Sequence, residues 1–226
     1  MKNGTVMKTA FILGNGVSRK PVNLNGLVGQ GTIFGCNALY REFDNYDYLI
    51  SIDPTFQAII ESYASYREFN NYDYLSSINP KFQAIIERLD EAMGKDDRII
   101  FPPQDECWES IEYSPNRRRS NAGMNAMLEA IRREHDKLYC LGFDFLLNDP
   151  VASTDNIFKG QEGYGPETHA NANDNVHRVR YLEWFMRKYS LVNFVFVLPD
   201  NANFTALTAK NVTGMYVSKF KEKFNA

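Results

Sequence analysis

The sequence predicts an α/β fold built on a mainly parallel sheet with helices on both faces. Three observations predict it. Short apolar runs such as Lys8–Leu13 and Val192–Leu198 alternate with stretches of helical periodicity. Several runs close on glycine or on a polar residue, as at Gly14-Asn15-Gly16, Asn37 and Asp144. Strand-like runs that alternate with helical runs argue for a largely parallel sheet covered on both faces.

In chain order, Lys8–Leu13 is the first predicted strand and Gly14-Asn15-Gly16 is its turn. Gly31–Asn37 and Tyr46–Asp53 are the second and third, the latter followed by Pro54 at a helix start. Arg98–Phe101 is a strand stopped by Pro102-Pro103. Ser120–Glu134 reads as a helix with Ser120 as N-cap, since Met124, Met127, Leu128 and Ile131 share one face. Lys137–Phe145 is a core strand with a polar end. Asn148–Asn175, with Gly160, Gly163, Gly165 and Pro166, is long enough for a lid or binding loop. Val179, Leu182, Phe185, Met186 and Tyr189 mark a helix before the Val192–Leu198 strand. The basic tail from Lys219 reads as peripheral. Together these elements predict a single Rossmann-like domain over residues 1–226.

One strand–helix unit is duplicated. Tyr40–Glu61 recurs as Tyr66–Glu87 at an offset of 26 residues, with four changes: Asp44/Asn70, Ile50/Ser76, Asp53/Asn79 and Thr55/Lys81. Two copies fall short of a solenoid, so a tandem duplication within one domain is the simpler account.

Composition narrows the function classes. A 44% hydrophobic content over 226 residues supports a substantial core, and a formal net charge of −3 provides no global attraction for nucleic acid. No run approaches the roughly 20 apolar residues of a membrane span. Residues 1–7 are polar, unlike a signal peptide, and Cys36, Cys107 and Cys140 form no CxxC pair. A cytoplasmic protein is the expectation, and a homo-oligomer is compatible with it.

In parallel sheets ligands gather beyond the carboxyl ends of the strands. That singles out Gly14, Asn15, Gly16, Asn37, Asp53 and Asp144. The Gly-Asn-Gly turn lacks the full dinucleotide fingerprint and the Walker lysine. Arg117-Arg118-Arg119 runs into a helix start at Ser120-Asn121-Ala122-Gly123, where unpaired N–H groups, the helix dipole and small side chains suit a phosphate. That adds Arg119, Asn121, Ala122 and Gly123 to the set. In the loop, His169 and His177 are candidate general bases, and Tyr164 lies beside them. His135, near a helix C-terminus, reads as a structural cation. No His/Cys spacing marks a metal site, and the Asp53/Asn79 change argues against an obligatory metal in both copies.

Phe11-Ile12-Leu13-Gly14-Asn15-Gly16-Val17-Ser18 and Cys36-Asn37-Ala38-Leu39-Tyr40 resemble the G-N-G-P-S turn and C-N-x-x-Y strand end of bacterial sialyltransferases that use CMP-activated sialic acid. Arg119–Gly123 is similar to their R-x-T-S-G helix start, Gly142–Phe145 to their G-I-D-F strand end, and Tyr181–Phe185 to their final helix. Related motility-accessory and pterin-kinase-like proteins share the opening turn. The resemblance implies that Asn15, Asn37, Arg119, Ala122 and Gly123 contact the nucleotide, and that a loop histidine and tyrosines assist transfer. Val17 stands for the family proline, Ala122 for a serine, and the family histidine aligns near Asn173.

Three readings follow. One is a glycosyltransferase-like protein taking a CMP-type sugar nucleotide and an unknown acceptor, without a separate cofactor. Another is a non-catalytic nucleotide-binding accessory protein, of phage type. The last is a pyrophosphokinase-like enzyme drawing magnesium to Asp53 and Asp144.

Overall fold

Among the described residues, seven parallel strands stand side by side in the order β4-β3-β2-β1-β5-β6-β7. They are β1 Thr9–Leu13, β2 Thr32–Cys36, β3 Tyr48–Ile50, β4 Ile99–Ile100, β5 Lys137–Leu141, β6 Asn193–Leu198 and β7 Val212–Tyr216. The computed structural model describes residues 7–52, 98–100, 121–161, 164 and 172–226. Among these, the helices are α1 Ala122–Arg132, α2 Ala172–Lys188 and α3 Val217–Phe224.

Alternation along the strands splits the core in two. Ala10, Ile12, Phe34, Leu138, Cys140, Phe194 and Phe196 face α1 and α2, burying Met124, Met127, Leu182 and Phe185 between the layers. Phe11, Leu13, Ile33, Tyr139, Leu141, Val195 and Val197 face the other way, onto Phe220 and Phe224 of α3 and onto Leu27 and Leu39. A sheet clothed on both faces explains why its strands carry apolar residues at successive positions.

The chain reverses direction across the sheet between β1 and β5. From β1 it steps outward through β2, β3 and β4, and from β5 outward through β6 and β7. The ends of β1 and β5 meet closely there. The Gly14 N–H donates to the Leu141 carbonyl at 2.8 Å and the Gly16 N–H to the Gly142 carbonyl at 3.1 Å. A Cβ on Gly14 would sit 2.7 Å from the Gly142 oxygen, and Gly142 itself has φ +70°. Only glycine meets both demands at that corner.

Four sequence expectations are corrected. The N-cap of α1 is Asn121, whose side chain accepts from the Met124 N–H at 3.0 Å, one residue beyond Ser120. The loop from Asn148 ends earlier than expected, because α2 begins at Ala172. His135 keeps its expected structural place but not the charge: Nδ1 meets the Ala130 carbonyl at 2.9 Å and Nε2 the Thr32 hydroxyl at 2.8 Å. Burial is the main reason its pKa is lowered, which favours the neutral ring. The tail is also no periphery. Phe220 is fully buried, and its ring and that of Phe224 pack against Phe11 and Tyr139. The apolar residues of α3 recur at the helical i,i+3 and i,i+4 spacings, leaving its lysines on the solvent side. Cys36 and Cys140 are buried free thiols.

Candidate functional site

A cleft of about 190 Å³ opens at the carboxyl ends of the strands, over the junction of β1 and β5. This is the switch point at which such sheets hold ligands. Gly14, Asn15, Gly16, Asn37, Asn121, Ala122, Gly123 and Asp144, all anticipated from the sequence, line it together. Asp53, Asn79, Arg119 and His169 lie outside the described residues, as do Cys107 and most of the duplicated unit.

Asn15 sits at the floor. Its Nδ2 donates to the Cys36 carbonyl at 3.1 Å, which ties the β1 turn to the end of β2. Its Oδ1 is buried and has no hydrogen-bond partner among the described residues. A buried acceptor without a donor costs free energy unless a ligand or water supplies one. The backbone of Asn15 is held from the other side, where its carbonyl accepts from the Ile157 N–H at 2.9 Å.

Asn37 closes β2 in the left-handed region, with φ 46°. Asparagine tolerates that conformation better than most side chains. Its Oδ1 accepts from the Ser51 hydroxyl at 3.3 Å and the Ile52 N–H at 3.2 Å, linking the ends of β2 and β3. Beside it, burial pushes the Cys36 thiol up to about 12, with Arg19 opposing the shift, so this cysteine stays protonated.

The strand expected to run to Phe145 stops at Leu141. Asp144, in the 3-10 turn just beyond β5, is buried and accepts from both the N–H and the hydroxyl of Ser18. Burial raises its pKa, and the bonds from Ser18 and Val17 offset part of that rise. Gly16 makes room for the carboxylate: a Cβ there would lie 2.4 Å from the carboxyl carbon. The start of α1 forms another wall. There the N–H groups of Ala122 and Gly123 precede the first intrahelical bonds, and Gly123 lets the Phe143 ring approach.

The remaining wall comes from the long loop and α2. Ser153, Thr154, Asp155, Asn156 and Arg178 line it. Sequence reasoning flagged the loop as a unit but missed Arg178. Its signal was a cation at helical spacing from Asn175, within the helix that follows the loop. Tyr164 and His177 do not line the cleft. The Tyr164 ring packs 5.7 Å from that of Phe158, and Arg41 lies 5.8 Å from its centroid. His177 is half-buried on α2, one residue before Arg178. Among the described residues, no group of three His, Cys, Asp or Glu side chains could hold a metal ion, and no helix is long and apolar enough to cross a membrane.

Solved sialyltransferases are similar to this chain. The sialyltransferase CstII from Campylobacter jejuni, in complex with the substrate analogue cytidine-5'-monophosphate, is 19% identical with a TM-score of 0.49, covering 92% of this chain and 87% of that one. An α-2,3-sialyltransferase from Campylobacter jejuni in apo form is 19% identical with a TM-score of 0.45, covering 94% and 84%. The sialyltransferase CST-II in complex with a trisaccharide acceptor and CMP is 14% identical with a TM-score of 0.47, covering 92% and 89%. No protein-family model and no curated protein matches the sequence. At these identities the likeness transfers no residue role.

Proposed function

We propose that this protein binds a cytidine-type sugar nucleotide in the switch-point cleft and acts as a glycosyltransferase, passing the sugar to an acceptor hydroxyl. The observation that carries the reading is the buried Oδ1 of Asn15, unpartnered among the described residues, in a cleft walled by a helix start. An acceptor of that kind calls for an N–H donor from a ligand, and the helix start suits a phosphate. The sequence motifs that resemble CMP-using sialyltransferases favour cytidine over other bases. The loop histidine His169 is the candidate base on this reading, and the protein is expected to act in the cytoplasm.

A second reading, binding without transfer, is favoured by one observation: neither His177 nor Tyr164 lines the cleft. The metal-dependent pyrophosphokinase reading rests on Asp53 and Asp144, and Ser18 already engages both oxygens of Asp144.

Thermal melting with ligands separates the three. CMP raises the melting temperature of the wild type and not of Asn15→Ala, whereas ATP with magnesium leaves the wild type unchanged. The reverse pattern overturns the proposal in favour of the kinase reading. Acceptor-dependent release of CMP from CMP-sialic acid, with the sugar joined to the acceptor hydroxyl and the activity lost in His169→Ala, establishes transfer chemistry. Binding without turnover leaves the accessory role.

A further inference from the structure

We infer that Arg178 is the cationic anchor for the anionic group of the ligand, acting in the same cleft as the start of α1. The inference rests on reading the cleft as a nucleotide site. Among the described residues, the charged side chains that line it are Asp144, Asp155 and Arg178. The two carboxylates have partners of their own: Ser18 donates to Asp144, while Lys159 lies 3.6 Å from Asp155, which also accepts from the Asn156 N–H at 2.9 Å. Two carboxylates by themselves repel a phosphate, so a ligand of this class needs a cation in the same cleft. Arg178 is the described side chain that supplies one.

Its position is fixed rather than left to a flexible stem. Arg178 Nη1 donates to Asn175 Oδ1 at 2.9 Å, three residues back along α2. Asn175 is 6% exposed, and its Nδ2 donates to the Ser153 carbonyl at 3.1 Å. One buried amide thus joins the helix, the loop wall and the guanidinium. A guanidinium pinned by Asn175 is pre-organised for a planar or tetrahedral oxyanion, and it loses less entropy on binding than a loose lysine. Asn175 is a positioning residue on this account, and Arg178 touches the ligand.

The anion is either the nucleotide phosphate or the carboxylate of an acidic sugar, and calorimetric titration of the full chain distinguishes them. Cytidine, CMP and CMP-sialic acid are titrated into wild type, Arg178→Gln and Arg178→Lys, with the melting temperature of each variant measured alongside. The expected result is CMP binding weakened about tenfold or more in Arg178→Gln while cytidine binding stays within about twofold, with part of the loss restored by Arg178→Lys. Unchanged CMP binding with CMP-sialic acid weakened about tenfold also supports the anchor and assigns it to the sugar carboxylate. Equal affinities for all three ligands in wild type and Arg178→Gln overturn the inference. So does an equal loss for cytidine and CMP, which marks a structural role. If Arg178→Gln melts early, Arg178→Lys carries the same comparison, and a CMP affinity falling in step with cytidine overturns the inference there too. A wild type that binds none of the three overturns the nucleotide reading itself.

Discussion

Ser18 donates twice to Asp144, through its backbone N–H at 2.9 Å and through its hydroxyl, although 126 residues separate the pair in sequence. The contact joins the short turn after β1 to the end of β5, so it holds the floor of the cleft where the sheet changes direction. A buried carboxylate tethered in this way couples the integrity of the site to the protonation of one group.

The pH dependence of that group has a definite sign. Burial raises the Asp144 pKa above its ordinary value, against the lowering effect of Ser18. The folded chain therefore holds this proton more tightly than the unfolded chain does. Its contribution to stability is full below the ordinary carboxyl value of about 4 and is lost as pH rises through the folded value. Urea unfolding of wild type and Asp144→Asn across the acidic range is expected to show the wild-type advantage shrinking as pH rises. A difference that grows with pH refutes the assignment.

Gly16→Ala tests the same contact sterically. Gly16 adopts an ordinary extended conformation, φ −66°, so alanine brings no backbone strain. The added methyl instead meets the Asp144 carboxylate at 2.4 to 2.6 Å. A loss of about 1–3 kcal/mol in unfolding free energy is expected, as for other overpacked sites. Weakened CMP binding should accompany it, whereas Gly29→Ala, with open space around the Cβ but φ +79°, should leave CMP binding intact.

His135 titrates in the opposite sense. Its lowered pKa means that the unfolded chain binds the proton more readily. The stabilising contribution is present above about pH 6.5 and is lost as pH falls through the folded value. Thermal melts between pH 5 and 8 are expected to fall more steeply on acidification for wild type than for His135→Gln.

Phe220→Ala measures how far the C-terminal helix belongs to the core. The ring is fully buried against Phe11, Tyr139 and Phe224. Its removal is expected to cost about 3–5 kcal/mol by chemical denaturation. A cost below about 1 kcal/mol would return the helix to the periphery.

The strands of the sheet interior were readable because burial on both faces forces continuous apolar runs, and because glycine or a polar residue marks where each leaves the core. β7 was missed: Val212–Tyr216 is an edge strand, largely exposed, and carries no such run. α3 was misread because its net basic composition masks the spacing of Val217, Phe220 and Phe224. Asn121 and Ser120 are both good caps, and the choice depended on where the backbone leaves the extended region.

The sequence by itself determined the α/β class, the glycine turn after β1 and a set of strand-end and helix-start residues suited to a nucleotide. Those follow from local chemistry: apolar periodicity, the conformational freedom of glycine and the orphan N–H groups of a helix start. The tertiary structure alone decided that the set meets in one cleft, because the placement of β5 beside β1 is a long-range choice. It also decided that Ser18 serves Asp144, that Asn175 pins Arg178 and that His177 and Tyr164 stand aside. Which polar groups find partners depends on the packing of distant segments, and no local pattern encodes that.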